Sequence, residues 1–198
     1  MLYTNSMKAE IEAKFLNIDK ENIRKLLKNI GAELVQPERM MERAVFDSPN
    51  PNEYFRVRNE GNQITMSFKH CDDRSIEGMK EICLTVDNYN NAIELLTHAI
   101  GAPKAQQETY RESWIKDGVE IDIDTWPWVP SFIEIEGPSS EAVKKLADEL
   151  GFKMENAEYG SVEIVYQQIF DVTEDEINYM PEIKFTDIPE WLEARRRK

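Results

Sequence analysis

Lys8-Ala9-Glu10-Ile11-Glu12-Ala13-Lys14-Phe15-Leu16 alternates charged and apolar side chains along its length. Lys8, Glu10, Glu12 and Lys14 fall on one side, and Ala9, Ile11, Ala13 and Phe15 on the other. That period of two belongs to a strand. In an ordinary antiparallel sheet the charged side of such a strand meets water. The rest of the chain argues for a different placement here.

Downstream of residues 8–16, Asp19 stands where a helix N-cap would, Ile23, Leu26, Leu27 and Ile30 follow at helical spacing, and Gly31 supplies a stop. Strand-forming runs come next at residues 34–46, 53–58 and 64–70, separated by turn-rich segments at 47–52 and 60–62. The same order then recurs: a strand at 80–86, a helix over about 90–100 stopped by Gly101, and strands at 106–115, 119–124 and 132–136. Glu10 and Ile11 leading to Leu26, Leu27, Ile30 and Gly31 are echoed by Glu81 and Ile82 leading to Leu95, Leu96, Ile100 and Gly101. Two four-stranded halves of this kind predict an α+β fold: an eight-stranded closed antiparallel β-barrel, or tunnel, with helices packed outside. Closure also removes the exposed edges of both halves. Past residue 137 a third helix is predicted to about Leu150, helical pattern returns at 161–170, residues 171–191 read as irregular or short helix, and 193–198 as a frayed basic tail.

The chain has 198 residues, enough for one domain, with a barrel core over about 8–137 and a helical extension over about 138–198. A net charge of −14 argues against nucleic acid, whose phosphates require a basic stripe. No apolar run is long enough to span a bilayer. Residues 1–6 lack the pattern of a secretory signal, and Cys71 and Cys83 match no zinc spacing, so reduced thiols and a cytoplasmic location are expected. With only His70 and His98 present, a bound metal would be held by oxygen.

Charged residues recur at strand parity well beyond the first strand. Arg56 and Arg58 share a face with Tyr54, Lys69 with Thr65 and Ser67, and Glu81 with Cys83; Asp122 and Asp124 alternate with Ile121 and Ile123, and Glu134 and Glu136 with Ile133 and Ile135. If helices cover the apolar faces from outside, these charges line the barrel interior. Unpaired ions there would cost several kcal/mol each, about what a bound polyanion with its metals would offset. Glu10, Glu12, Asp122, Glu134 and Glu136 are hard oxygen donors suited to Mg²⁺ or Mn²⁺, while Lys14, Arg56, Arg58 and Lys69 suit phosphate oxygens.

On these residues the sequence resembles the CYTH family, the triphosphate tunnel metalloenzymes, which includes thiamine triphosphatases, inorganic triphosphatases and class IV adenylate cyclases. Glu10-x-Glu12-x-Lys14 is similar to its N-terminal motif, Arg56-x-Arg58 to its RxR strand, Lys69 to the lysine after the next turn, and Glu81 to the acidic residue opening the second half. The resemblance implies metal ligation by Asp122, Glu134 and Glu136 as well as by Glu10 and Glu12. It also implies a catalytic set of Lys14, Arg56, Arg58, Lys69 and Glu81, with Glu81 ordering a neighbouring cation. Where the family carries a basic pair, this chain has Gln106 and Gln107; Arg111 shares parity with Gln107 and is the candidate fifth phosphate-binding residue. Lys153 and Lys184 are candidates for the basic residue that some members bring from the C-terminal helix.

The function implied is metal-dependent phosphoryl transfer on a triphosphate, such as ATP, inorganic triphosphate or thiamine triphosphate, with hydrolysis favoured. The alternatives are conversion of ATP to cyclic AMP and pyrophosphate, and triphosphate or polyphosphate binding without turnover. No membrane or nucleic-acid partner is expected, and a homodimer is left open. Trp126-Pro127-Trp128-Val129-Pro130, between the two acidic strands, reads either as packing at a barrel end or as a stacking platform for a ring.

Overall fold

The structure, a computed structural model, describes residues 7–198; residues 1–6 lie outside the described part. The opening strand is present but broken. β1 (Lys8–Glu10) and β2 (Glu12–Phe15) are interrupted at Ile11, because the chain changes partners there. β1 pairs with β6 (Met79–Val86), Glu10 opposite Met79, whereas β2 pairs with β9 (Phe132–Glu136), Lys14 opposite Glu134. Glu12 N–H, no longer facing β6, donates to the Ile76 carbonyl at 3.1 Å.

Around the sheet the order is β1, β6, β5 (Ile64–Cys71), β4 (Glu53–Asn59), β3 (Glu33–Asp47), β7 (Ala105–Lys116), β8 (Val119–Thr125), β9 and β2. Since β1 and β2 are one continuous run of chain, the sheet closes into an eight-stranded antiparallel barrel. The halves do not simply meet edge to edge. Each keeps three strands together and lends its first strand to the other boundary, so that β2 lies beside β9 and β6 beside β5. This arrangement is compatible with a two-fold relation between the halves.

Helices α1 (Lys20–Asn29), α2 (Tyr89–Ile100) and α3 (Ser140–Glu149) start at Asp19, Asn88 and Ser139, whose side chains accept from the backbone N–H groups of Asn22, Asn91 and Ala142. Such caps satisfy donors a helix leaves open and are worth about 1 kcal/mol each. Ile23 and Leu27 of α1, with Val143 and Leu146 of α3, cover Ala13, Ile121, Ile123, Ile133 and Ile135 on the outer face of β2, β8 and β9. Ala92 and Leu96 of α2 cover Ala44, Phe46 and Val57 on the opposite wall. Burying each large aliphatic side chain contributes about 1.5–3 kcal/mol, so the apolar face of each strand is committed outward and the charged face inward.

A third core closes one end. Tyr166 and Phe170, with α4 (Glu163–Ile169), α5 (Glu174–Asn178) and α6 (Glu190–Glu193), pack on Trp126, Val129 and Phe132. A short β10 (Glu182–Ile183) adds to β7 in parallel. The basic tail expected to fray is instead ordered. Arg197 N–H donates to the Ile169 carbonyl at 2.8 Å, its Nε to the Gln167 carbonyl at 2.9 Å, and the Arg196 guanidinium lies 4.7 Å from the Phe170 ring centre. The end of α4 leaves carbonyls without helical partners, and the arginines supply the donors.

Candidate functional site

The inward faces of the strands surround a cavity of about 330 Å³. All the expected metal ligands, phosphate-binding and catalytic residues line it: Glu10, Glu12, Lys14, Arg56, Arg58, Lys69, Glu81, Arg111, Asp122, Glu134 and Glu136; the two C-terminal candidates, Lys153 and Lys184, do not. Strand parity brings Arg56 and Arg58 inward from β4 while Phe55 and Val57 turn to α2. The same alternation brings Asp122, Glu134 and Glu136 inward while Ile121, Ile133 and Ile135 turn to α1 and α3.

The charges form a connected network. Arg111 reaches Asp122 at 2.6 Å, Asp124 at 2.7 Å and Glu134 at 2.6 Å. Glu134 is also 3.3 Å from Lys14 Nζ, which donates to Glu12 at 2.6 Å. Farther round, Lys69 donates to Glu10 at 2.6 Å, and Glu81 stands between Lys69, at 3.9 Å, and Arg56, at 3.2 Å. Arg58 pairs with Glu60 at 2.6 Å.

This environment moves the carboxyls in opposite directions. Burial pushes Glu134 up, but Lys14 and Arg111 outweigh it and hold the carboxyl well below its ordinary range. Burial likewise opposes ionisation of Glu81, and the hydrogen bond from Glu10 with the charges of Lys69 and Arg56 overrides it. Glu136 is pushed up to about 7 by burial and by the neighbouring Glu12 and Glu120 carboxylates. Burial raises Glu10 in spite of Lys69. The carboxyls on the acidic wall, Glu12, Glu120, Asp122, Asp124, Glu134 and Glu136, outnumber the cations paired with them, Lys14 and Arg111.

That surplus fits a divalent cation. The acidic donors are all carboxylate oxygens, the set hard ions such as Mg²⁺ or Mn²⁺ prefer. Among the described residues no histidine or cysteine lines the cavity. Among the described residues no group of three carboxylates already stands in a metal-holding cluster. Several instead turn their oxygens to Lys14, Lys69 and Arg111, and would have to rotate from those partners to ligate.

The structure also brings in residues to which the sequence pattern gave no role. Asp124 had the right parity and joins the Arg111 cluster. Arg43, from β3, enters beside Arg58. The C-terminal segment contributes Glu163, a buried carboxylate whose Oε2 has no partner among the described residues and which burial pushes up to about 7. Lys153 and Lys184 stay out of the cavity, beside Glu155 and Glu182. Gln107 lines the wall and Gln106 does not, while Arg111 does face inward. Trp126 is buried beneath Arg43, and Trp128 donates its indole N–H to the Thr186 carbonyl at 2.8 Å, so both indoles pack at the barrel end.

No significant match is found among curated proteins. Among solved structures, a conserved hypothetical protein from Pyrococcus furiosus superposes with a TM-score of 0.69 at 23% identity, covering 79% of this chain and 99% of its own. An adenylyl cyclase candidate from Hippeastrum, with a dominant triphosphatase activity, superposes with a TM-score of 0.52 at 18% identity, covering 80% of this chain and 95% of its own. At these identities the likeness is one of fold. The CYTH domain family, however, matches residues 8–165, from the first strand through the whole barrel and into α4. The chain belongs to the CYTH family.

Proposed function

We propose that this protein is a divalent-metal-dependent phosphoryl-transfer enzyme that binds a triphosphate within its barrel and hydrolyses it. The observation that carries the reading is the desolvated meeting of cationic and acidic walls in one cavity: Arg56, Arg58 and Lys69 face Glu12, Glu134 and Glu136 inside a closed barrel. Such an interior is costly to maintain for packing alone. It matches the demands of phosphoryl transfer, in which the protein positions the chain and offsets charge on the equatorial oxygens.

In this scheme Lys14, Arg56, Arg58, Lys69 and Arg111 hold phosphate oxygens. The arginines grip two oxygens at once, and the lysines act as point charges. Glu81 orders Arg56 and Lys69 rather than touching phosphate. Glu10, Glu12, Asp122, Glu134 and Glu136 would hold Mg²⁺ or Mn²⁺, which when bound supplies charge neutralisation along the phosphate chain. Water oxygen then bonds to the terminal phosphorus as the bridging P–O bond opposite it breaks, its electron pair leaving on the diphosphate end and the water's proton passing to bulk solvent or a phosphate oxygen. The cyclase alternative also needs a nucleoside seat that aims a ribose hydroxyl at the α-phosphate, and among the described residues the aromatic lining is Tyr54, Trp126 and Phe132.

Incubating the purified protein with inorganic triphosphate, ATP or thiamine triphosphate and Mg²⁺ or Mn²⁺ distinguishes the readings. Phosphate release supports hydrolysis, and cyclic AMP with pyrophosphate supports the cyclase. Metal-dependent binding with no turnover of any of the three leaves a binding protein and overturns the enzyme reading. R56A is expected to lower kcat/KM by about a hundredfold or more, the loss typical of removing one preorganised charge donor.

A further inference from the structure

Arg43 differs from the other arginines that line the cavity. Arg56 has Glu81, Arg58 has Glu60 and Arg111 has three carboxylates, but among the described residues no carboxylate lies within salt-bridge distance of Arg43. Its guanidinium is buried, donates from Nη2 to the Thr109 hydroxyl at 2.8 Å, and lies 4.7 Å from the centre of a Trp126 ring. Among the described residues its Nε has no hydrogen-bond partner, and the same is true of Nε on Arg56. On the barrel wall Arg43 stands directly across from Arg58 on one side and Gln107 on the other.

Leaving a buried guanidinium without an ion pair is unfavourable; burial and repulsion from Arg58, Arg56 and Arg111 act on Arg43 in the same direction, and the more distant Asp124 carboxylate opposes them without outweighing them. An orphaned charged donor inside a cavity calls for an anion there. The seat also excludes an alternative occupant. Trp126 offers the larger of the aromatic planes on which a nucleobase could stack, and the Arg43 guanidinium already covers a face of it.

We infer that Arg43, oriented by Thr109 and Trp126, is a specificity-determining residue that seats a terminal phosphate and so favours an unsubstituted linear triphosphate over a nucleoside triphosphate. This rests on the triphosphate-binding reading of the same cavity. A bare chain presents charged oxygens at both ends, whereas a nucleotide presents a neutral ribose and base at one, which leaves Arg43 without its anion.

The test is calorimetric binding of inorganic triphosphate and of ATP, each with Mg²⁺, to wild type, R43Q and T109V. R43Q is expected to weaken inorganic triphosphate by about tenfold or more, the size of one charge-assisted hydrogen bond, while ATP changes by less than about threefold. T109V, which keeps the charge and loses its anchor, is expected to move the same ratio in the same direction by a smaller factor. Ligand-free R43Q is expected to melt no lower than wild type, since a like-charge repulsion has been removed; a structural arginine would show the opposite. An unchanged ratio of the two affinities in both variants, whether neither ligand or both are weakened, overturns the inference. Failure of wild type to bind any triphosphate would instead sink the functional reading beneath it.

Discussion

Glu163 reports most directly on the cost of the interior. Its carboxyl is buried at the start of α4, with Lys14, Arg74 and Glu174 as its charged neighbours, and one oxygen lacks a partner. Burial raises its pKa from 4.5 to about 7, so the folded protein binds this proton more tightly than the unfolded chain. The contribution of this group to stability is therefore full below pH 4.5 and is lost as pH rises through about 7. Denaturant unfolding of the ligand-free protein at several pH values should show E163Q losing less stability than wild type between pH 5 and 8, by up to about 3 kcal/mol. Identical pH slopes for the two proteins would show that the carboxyl is not held neutral. Strand periodicity made Glu10, Glu12, Arg56, Arg58 and Glu134 legible, because each alternates with an apolar neighbour that a helix covers. Arg43 was hidden by the run Ala44, Val45, Phe46, in which Val45 turns inward as an apolar member of a mostly charged face. Glu163 was hidden because a carboxylate at the start of a helix has the appearance of an ordinary favourable end charge.

Among the elements, the C-terminal segment departs most from expectation. Local pattern located α4, but the docking of residues 193–198 depends on a tertiary partner that no local signal reveals. Asp171 N–H donates to the Arg195 carbonyl at 2.8 Å, and Phe170 pairs with Arg196, so the last residues hold the exit of α4 against the barrel end. Ending the chain at Ala194 should lower stability by about 1–3 kcal/mol, the loss of a few partly buried hydrogen bonds. Urea midpoints measure this directly, and a midpoint equal to that of the full chain would mean the contacts add nothing. The break at Ile11 was similarly illegible. Alternation runs unbroken through the residue, and only the change of partner strand, from β6 to β9, interrupts the ladder.

For the molecule as a whole, an interior that waits for charge implies stability linked to ligand. Inorganic triphosphate with Mg²⁺ at a hundred times its Kd should raise unfolding free energy by about 2.7 kcal/mol and Tm with it. E134Q should lose most of that increment, and a thermal melt in which wild type shows no shift with either Mg²⁺ or Mn²⁺ would argue against the site. Barrel closure was legible from the repeat of strand, helix and three strands, because two such units expose edges that only each other can cover. The exchange of first strands was not, since the repeat is compatible with either way of joining the halves. That exchange has a consequence for how the protein comes into being. The strand bearing Glu10, Glu12 and Lys14 is made first, yet one of its two neighbours is β9, which ends at Glu136. During synthesis the β1 part can pair once β6, which ends at Val86, has emerged, but β2 must wait for β9. Its pairing is among the most distant contacts in the fold and belongs to the slow class of folding events. Charge on alternate residues keeps the waiting strand from associating with other chains, so the side chains proposed for the chemistry also guard the barrel before it exists.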